Sequence, residues 1–430
     1  MTSGYLENIT PDSFSGEVFA FEGIERAITL VNGPSGCKFY HSATADFQTI
    51  RQPAFDPLAF PDEWFFGQPR VPCTYLDTRD YVYGSRDKLR EAARFLRENV
   101  SFDLLCVVNS PGAALIGDDL REIAGAAAGK PCVTIESPGF SANIGDGYEN
   151  AVIRLVQQLG LKKTNIRPGR VNILGLSIFH KYWAGDAREL RRLFALSGIE
   201  AGCFVCAGCG VDDLRTIPAA ALNVVLRPEY GLRSAQRLEE EFGTPFYLCP
   251  GPPVGFSATE KMITDLCALL GKNADAFRRA SEKARARAFV HIARVHSLTG
   301  LPKAALFAVE GDYAEIYAYV SFLVRHFGMV LETASALNPE TAVFRDRLKE
   351  LLTRLKMSGA LGRDILDTQG ELVFANGNTI AKLKLRGHVF SGIEIALPSL
   401  GYLDVLPRTH IGLAGALTLT EQVLNGLMFR

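Results

Sequence analysis

The chain has 430 residues, 47% of them hydrophobic and 22% charged, with 46 basic against 47 acidic side chains and a formal net charge of −1. That length exceeds one core and points to two or three domains, while the balanced charge removes any global electrostatic case for nucleic acid or an anionic membrane. No run of about 18 apolar residues lacks charges, so no membrane span is expected, and the opening MTSGYLENITPDSFSGEVFAF lacks a basic segment followed by an apolar one, which reads as an unsecreted, cytoplasmic chain.

The recurring pattern is an apolar run, a Gly/Pro/Ser turn, then an amphipathic helix. The run AITLV leads into VNGPSGCKFYHS (31–42), a tight turn that presents Cys37. FDLLCVVNSP (102–111) reads as a buried strand followed by the helix GDDLREIAGAAAG, and PCVTIESPGF (131–140) as a strand followed by the helix GYENAVIRLVQQLG. KKTNIRPGR (162–170) reads as a linker. RVNILGLSIF (170–179) opens a second series: a helix DARELRRLFALSG, strands IEAGCFVCAG and ALNVVLRPE, a helix GLRSAQRLEEEFG, a strand in TPFYLCPGPP and a helix-rich stretch over 257–299. PKAALFAVEG (302–311) opens a third, with the helix YAEIYAYVSFLVRHFG and strands MVLETAS, ELVFANG and GIEIALPS. Continuous apolar strands alternating with helices imply parallel sheets covered on both faces. The fold class is therefore α/β, with three Rossmann-like open parallel-sheet domains expected over 1–168, 169–300 and 301–430.

The nine cysteines are odd in number in an unsignalled chain, which favours reduced thiols or metal ligands over a disulfide framework. Ligands of open parallel sheets bind beyond the carboxyl ends of the strands, which singles out Cys37. Cys106, Cys132 and Cys267 lie in apolar runs or on an apolar helix face and read as core. GCFVCAGCG (202–210) resembles part of a ferredoxin cluster run but lacks its fourth cysteine. Cys206 and Cys209 are expected at a strand's carboxyl end, facing a site between domains, with Asp212 or Asp213 capping the next helix. Asp118 and Asp119 read as first-turn helix residues.

Four segments together resemble the nitrogenase component 1-like superfamily, which includes dark-operative protochlorophyllide reductases: NGPSGCKFY (32–40), LDTRDYVYGSRDKLREA (76–92), NSPGAALIGDDLREI (109–123) and ESPGFSANIGDGYENAV (136–152). RTHIGLAGALTLTEQVLN (408–425) resembles the family's C-terminal segment. The resemblance implies a reductase subunit whose iron–sulfur cluster, a 4Fe–4S cluster shared between subunits, takes Cys37 as a metal ligand; Cys73, upstream of the acidic segment LDTRDYVYG, is the candidate second ligand in place of the missing family cysteines, and Cys106 a weaker third. Gly33, Gly36 and Ser110 would shape its surroundings. It implies an identical or paralogous component 1-like partner, an ATP-hydrolysing iron–sulfur reductase as electron donor, and a small-molecule substrate bound among the three domains. The chain has no Gly-x4-Gly-Lys-Ser/Thr loop and is not expected to hydrolyse ATP itself.

The sequence also departs from the family. The first family cysteine falls in PDSFSGEVF, which offers Ser13, Ser15 and Gly16, and the third falls at Ser110. Arg227 stands near the position of the cysteine that anchors the nitrogenase cofactor, and Asp146 near the proton-delivering histidine; both argue against nitrogen fixation. Asp146 is then the expected catalytic proton donor, a role suited to a buried carboxyl. His410 lies near a second cofactor ligand but reads equally as a loop histidine. The alternatives are a non-catalytic scaffold or cofactor-assembly subunit, and a plain small-molecule binding protein.

Overall fold

The computed structural model describes residues 11–37, 71–136, 142–338, 341–396 and 406–429. The start of the chain, the cysteine turn beyond Cys37 and the Gly–Phe pair at 139–140 lie outside these residues. The described elements form three parallel sheets.

The first sheet has the order β1-β2-β3. Its elements run α1 (Ser13–Glu22), β1 (Ala27–Asn32), α2 (Thr78–Tyr83), α3 (Arg86–Asn99), β2 (Leu104–Asn109), α4 (Leu120–Ala128), β3 (Cys132–Ile135) and α5 (Ile144–Gln158). Strand β2, LLCVVN, is buried at every position, as a central parallel strand covered on both faces must be. Helix α1 is buried along its whole length. It crosses α5 at two glycines: a Cβ on Gly16 would lie 2.1 Å from Ile144 O, and one on Gly147 would lie 1.9 Å from Ser13 O. Glycine there lets two backbones meet directly.

The second sheet has the order β5-β4-β6-β7. It comprises β4 (Arg167–Leu174), α6 (Trp183–Leu196), β5 (Glu200–Phe204), α7 (Val211–Arg215), β6 (Ala220–Val225), α8 (Leu232–Phe242) and β7 (Phe246–Leu248), followed by α9 (Phe256–Leu270) and α10 (Asp275–Thr299). The third sheet has the order β11-β10-β8-β9. It comprises β8 (Leu306–Gly311), α11 (Tyr313–Phe327), β9 (Val330–Ala336), α12 (Ala342–Arg354), β10 (Leu372–Asn376), α13 (Gly377–Leu385), β11 (Ser391–Ala396) and α14 (Gly412–Met428).

In each of these two sheets the first strand lies in the interior and later strands add on either side of it. Such an order reversal opens a crevice at the strand's carboxyl end. One apolar core, from Val171 to Leu427, runs continuously through the second and third sheets. Another joins the first sheet to the second. The crevices of the second and third sheets therefore face one another within a single packed body.

Candidate functional site

Cys37 stands at the carboxyl end of β1, held by a turn in which its N–H donates to Pro34 O at 3.3 Å. The segment carrying Cys73 runs parallel to the end of β1: Val31 N donates to Pro72 O at 2.9 Å and Thr74 N to Val31 O at 3.0 Å. Beneath the turn lies a buried polar network. Asn32 Nδ2 donates to Asn109 Oδ1 at 2.8 Å, Thr74 Oγ1 donates to Asn32 Oδ1 at 2.9 Å, and Gly33 N donates to Thr74 Oγ1 at 3.0 Å. These bonds fix the relative positions of three loops. Satisfied buried networks of this kind are rigid.

Sequence-predicted residues converge here. Cys37 is half-buried and Cys73 is 4% exposed. Ser110 is fully buried and lies beside the Cys37 thiol. Burial raises the Cys37 thiol pKa, Ser110 lowers it, and the charges of Asp12 and Cys73 raise it again. Among the described residues no basic side chain acts on the sulfur, so the thiol stays protonated and is not a poised nucleophile. Such a thiol yields its proton to a bound metal, whose positive charge inverts the balance. A Cβ on Gly33 would meet Ser110 Cβ and Oγ at 2.6 Å, so glycine is required there, whereas a Cβ on Gly36 would meet nothing within 4 Å. Gly36 therefore leaves open space beside Cys37.

The segment that lacks the family's first cysteine is used for packing. Ser13, Ser15 and Gly16 lie in α1, and Asp12 caps that helix by accepting from Ser15 N at 3.0 Å. Asp119 caps α4, and Asp118 accepts from Ser85 N at 2.7 Å, as capping residues at helix ends do.

Asp146 occupies the first turn of α5, its N–H donating to the capping Asn143 Oδ1 at 3.0 Å. Its side chain is 45% exposed and pairs with Arg233 at 3.4 Å.

Cys203, Cys206 and Cys209 are buried. Their turn packs against the chain after α1: a Cβ on Gly23 would lie 1.8 Å from Cys206 O, and Glu25 N donates to Cys209 O at 2.7 Å. The turn thus seals the junction between the first and second sheets. Donation of the Cys203 S–H to Cys209, together with burial, raises the Cys203 thiol, and burial raises that of Cys206. Asp213 does cap the following α7, accepting from Gly210 N at 2.9 Å. Among the described residues no group of three His, Cys, Asp or Glu side chains is placed to hold a metal.

The charged residues just past β4, β6 and β8 meet in the facing crevices, and sequence reading did not assemble them. Arg227 follows β6; its Nη2 stands 3.7 Å from Asp186 Oδ2 and 3.8 Å from Glu315 Oε1. Glu229 Oε1 accepts from Ala314 N at 2.9 Å, and Tyr230 donates to Asp312 Oδ2 at 3.0 Å. Desolvation lifts Asp186 to about 6, partly offset by Arg227, and Glu315 to about 7. Burial and the neighbouring Asp312 lift Glu229 to about 8. His180 packs edge-on against Tyr230 at 4.6 Å. His410, 3% exposed, hydrogen-bonds Tyr319 through Nδ1 at 2.8 Å, and burial lowers it to about 3. It is a loop histidine just before α14, as one reading of the sequence has it, and it is buried. Arg227, two residues past β6 at the end of an apolar run, is the local signal that marks this crevice in the sequence.

Comparison with known proteins places this geometry. The family model for nitrogenase component 1 type oxidoreductases matches residues 13–428. A light-independent protochlorophyllide reductase subunit from Synechococcus sp. (strain WH7803) is 31% identical over 220 residues, covering 47% of this chain and 41% of that protein. The corresponding protein from Chloroherpeton thalassium is 26% identical over 298 residues, covering 65% and 54%. The matched part thus spans about two fifths to one half of these curated relatives. The structure of nitrogenase Cp1 at pH 6.5 superposes with a TM-score of 0.78 at 18% identity, covering 98% of this chain and 92% of that one, a likeness of fold. No helix among the described residues is long and apolar enough to cross a membrane. With three parallel sheets and a family match over nearly its whole length, the chain belongs to the nitrogenase component 1 type oxidoreductases.

Proposed function

We propose that the chain is one subunit of a two-component reductase, in which Cys37 and Cys73 hold an iron–sulfur cluster shared with an identical or paralogous subunit. The observation that supports this most is the convergence of the two cysteines with Ser110 at the carboxyl end of β1, beside a glycine that admits no side chain. Two such thiols from each of two subunits make four thiolates, the complement of a 4Fe–4S cluster. Bound there, the cluster would supply reversible one-electron storage. Ser110 would hydrogen-bond the ligand sulfur, Gly33 would let β1 and the Ser110 loop close beneath it, and Gly36 would leave room beside it.

An ATP-hydrolysing iron–sulfur protein is the proposed electron donor, and the substrate is a small reducible molecule bound in the crevice between the second and third sheets. Glu229 and Glu315 would hold protons there near neutral pH, because burial penalises their charged forms. Asp146, half-exposed and paired with Arg233, is the proposed proton source on the solvent side. Arg227 occupies the crevice without any thiol on its own loop, which supports a reduction other than nitrogen fixation.

The test is the iron and sulfide content of Cys37→Ser and Cys73→Ser chains purified without oxygen, with Cys267→Ser on α9 as control. Both turn variants should lose iron and the control should keep it. Full iron in Cys37→Ser would overturn the assignment.

A further inference from the structure

The crevice contains a buried charged donor that the described residues leave partly unbonded. Arg227 is 6% exposed, and its two carboxylate neighbours stand beyond hydrogen-bond distance. Among the described residues its Nε and Nη1 have no hydrogen-bond partner. His180 is 7% exposed and lies within the field of Arg227. Its Nδ1 accepts from Ser177 N at 2.9 Å, which puts the ring proton on Nε2, and Nε2 likewise has no partner among the described residues. Unpaired buried donors are costly, charged ones most of all. Three such groups on the ends of β4 and β6 call for acceptor oxygens brought by another molecule.

We propose that Arg227 and His180 bind a carboxylate group of the molecule that fills the crevice, and hence that the substrate is a carboxylic acid. This rests on the reading of the crevice as the substrate site. Nε and Nη1 flank Nη2, so a planar carboxylate approaching either edge of the guanidinium fork meets one unpartnered N–H beside Nη2. Asp186, Glu229, Asp312 and Glu315 crowd the same space. Arg227 carries one positive charge, which balances a carboxylate monoanion, whereas a phosphate dianion would bring a second negative charge that none of these residues offsets.

The experiment is thermal unfolding of the full chain at neutral pH with acetate as the probe, acetamide as its neutral isostere and chloride to match ionic strength. It does not depend on iron content, so loss of the cluster assignment and loss of this one are separable. Acetate should raise the midpoint of the wild-type chain by about 1–3 °C through mass action, and acetamide should not. Arg227→Gln should abolish the rise. Arg227→Lys, which keeps the charge but not the fork, should reduce it at least by half, and serves if the first variant does not fold. Exposed Arg345→Gln should leave it intact. Equal responses to acetate and acetamide, no response to either, or a response that survives in both Arg227 variants would overturn the proposal.

Discussion

Gly33 and Ser110 touch so closely that a single methyl group on Gly33 would stand 2.6 Å from both Cβ and Oγ of Ser110. The contact joins the turn after β1 to the loop after β2, and Ser110 N also donates to Asn32 O at 2.8 Å. Gly33→Ala should therefore destabilise the chain by about 1–3 kcal/mol, the usual cost of overpacking. Denaturant unfolding measures it. Ser110→Gly in the same chain should recover part of the loss, because the clash and its relief act on one contact. Additive effects in that double-mutant cycle would show that the contact is not the cause.

The crossing of α1 and α5 is stricter still, because the obstructing atoms are backbone. Gly147→Ala should cost more than about 3 kcal/mol, beyond ordinary overpacking, and should depress soluble yield. Gly36→Ala, facing open space, should shift stability by less than about 0.5 kcal/mol. A thermal midpoint for Gly36→Ala as low as that for Gly147→Ala would refute the distinction.

Much of the fold was legible because the strands are continuous apolar runs ending in turn residues, as in β2, β6 and β8. Helix α1 was not, since SFSGEVFAFE is buried all round and carries no polar face to reveal its period. The cysteine turn was readable from NGPSGC, whose glycines and proline are local punctuation. The burial of Cys206 was not, because the group that covers it, Gly23, lies 183 residues away and leaves no local mark. The crevice is a similar case. Asp186, Arg227 and Glu315 meet only through the order of the sheets, and Asp146, expected as a buried acid, instead lies half-exposed at a helix cap.

Lys181 and Glu394 form an ion pair at 3.1 Å with side chains 2% and 1% exposed, linking the loop after β4 to β11. Removing one partner breaks this buried pair. Lys181→Met should cost about 3–5 kcal/mol, and adding Glu394→Leu should restore part of it. A single variant as stable as the wild type would mean that water reaches the pair.

The buried acids set a pH dependence with a definite sign. Glu17 is lifted by burial from near 4.5 to about 8, Glu229 to about 8, and Glu149 and Glu315 to about 7. The folded chain holds these protons more tightly than the unfolded one. The stability they contribute is full below about 4.5 and is lost as pH rises through 7 to 8. Half-buried His326 and buried His410, lowered by desolvation to about 4 and about 3, act oppositely: their contribution is present above 6.5 and is lost as pH falls towards those values. For these six groups taken together the four acids outweigh the two histidines, so their summed contribution should peak near pH 4.5 and fall as pH rises through 7 to 8. Glu17→Gln should lose roughly 2 kcal/mol less than wild type between pH 5.5 and 8.5, by urea unfolding. Parallel curves for the two chains would contradict the assignment.

The central claim is the cluster at Cys37 and Cys73. The most direct measurement is an iron and acid-labile sulfide count, with electron paramagnetic resonance of the dithionite-reduced protein, on material purified without oxygen together with any co-purifying partner. About four irons per dimer and a reduced 4Fe–4S signal are expected. Iron near zero after reconstitution, with no such signal, would contradict the account and leave Cys37 as a structural residue of its turn.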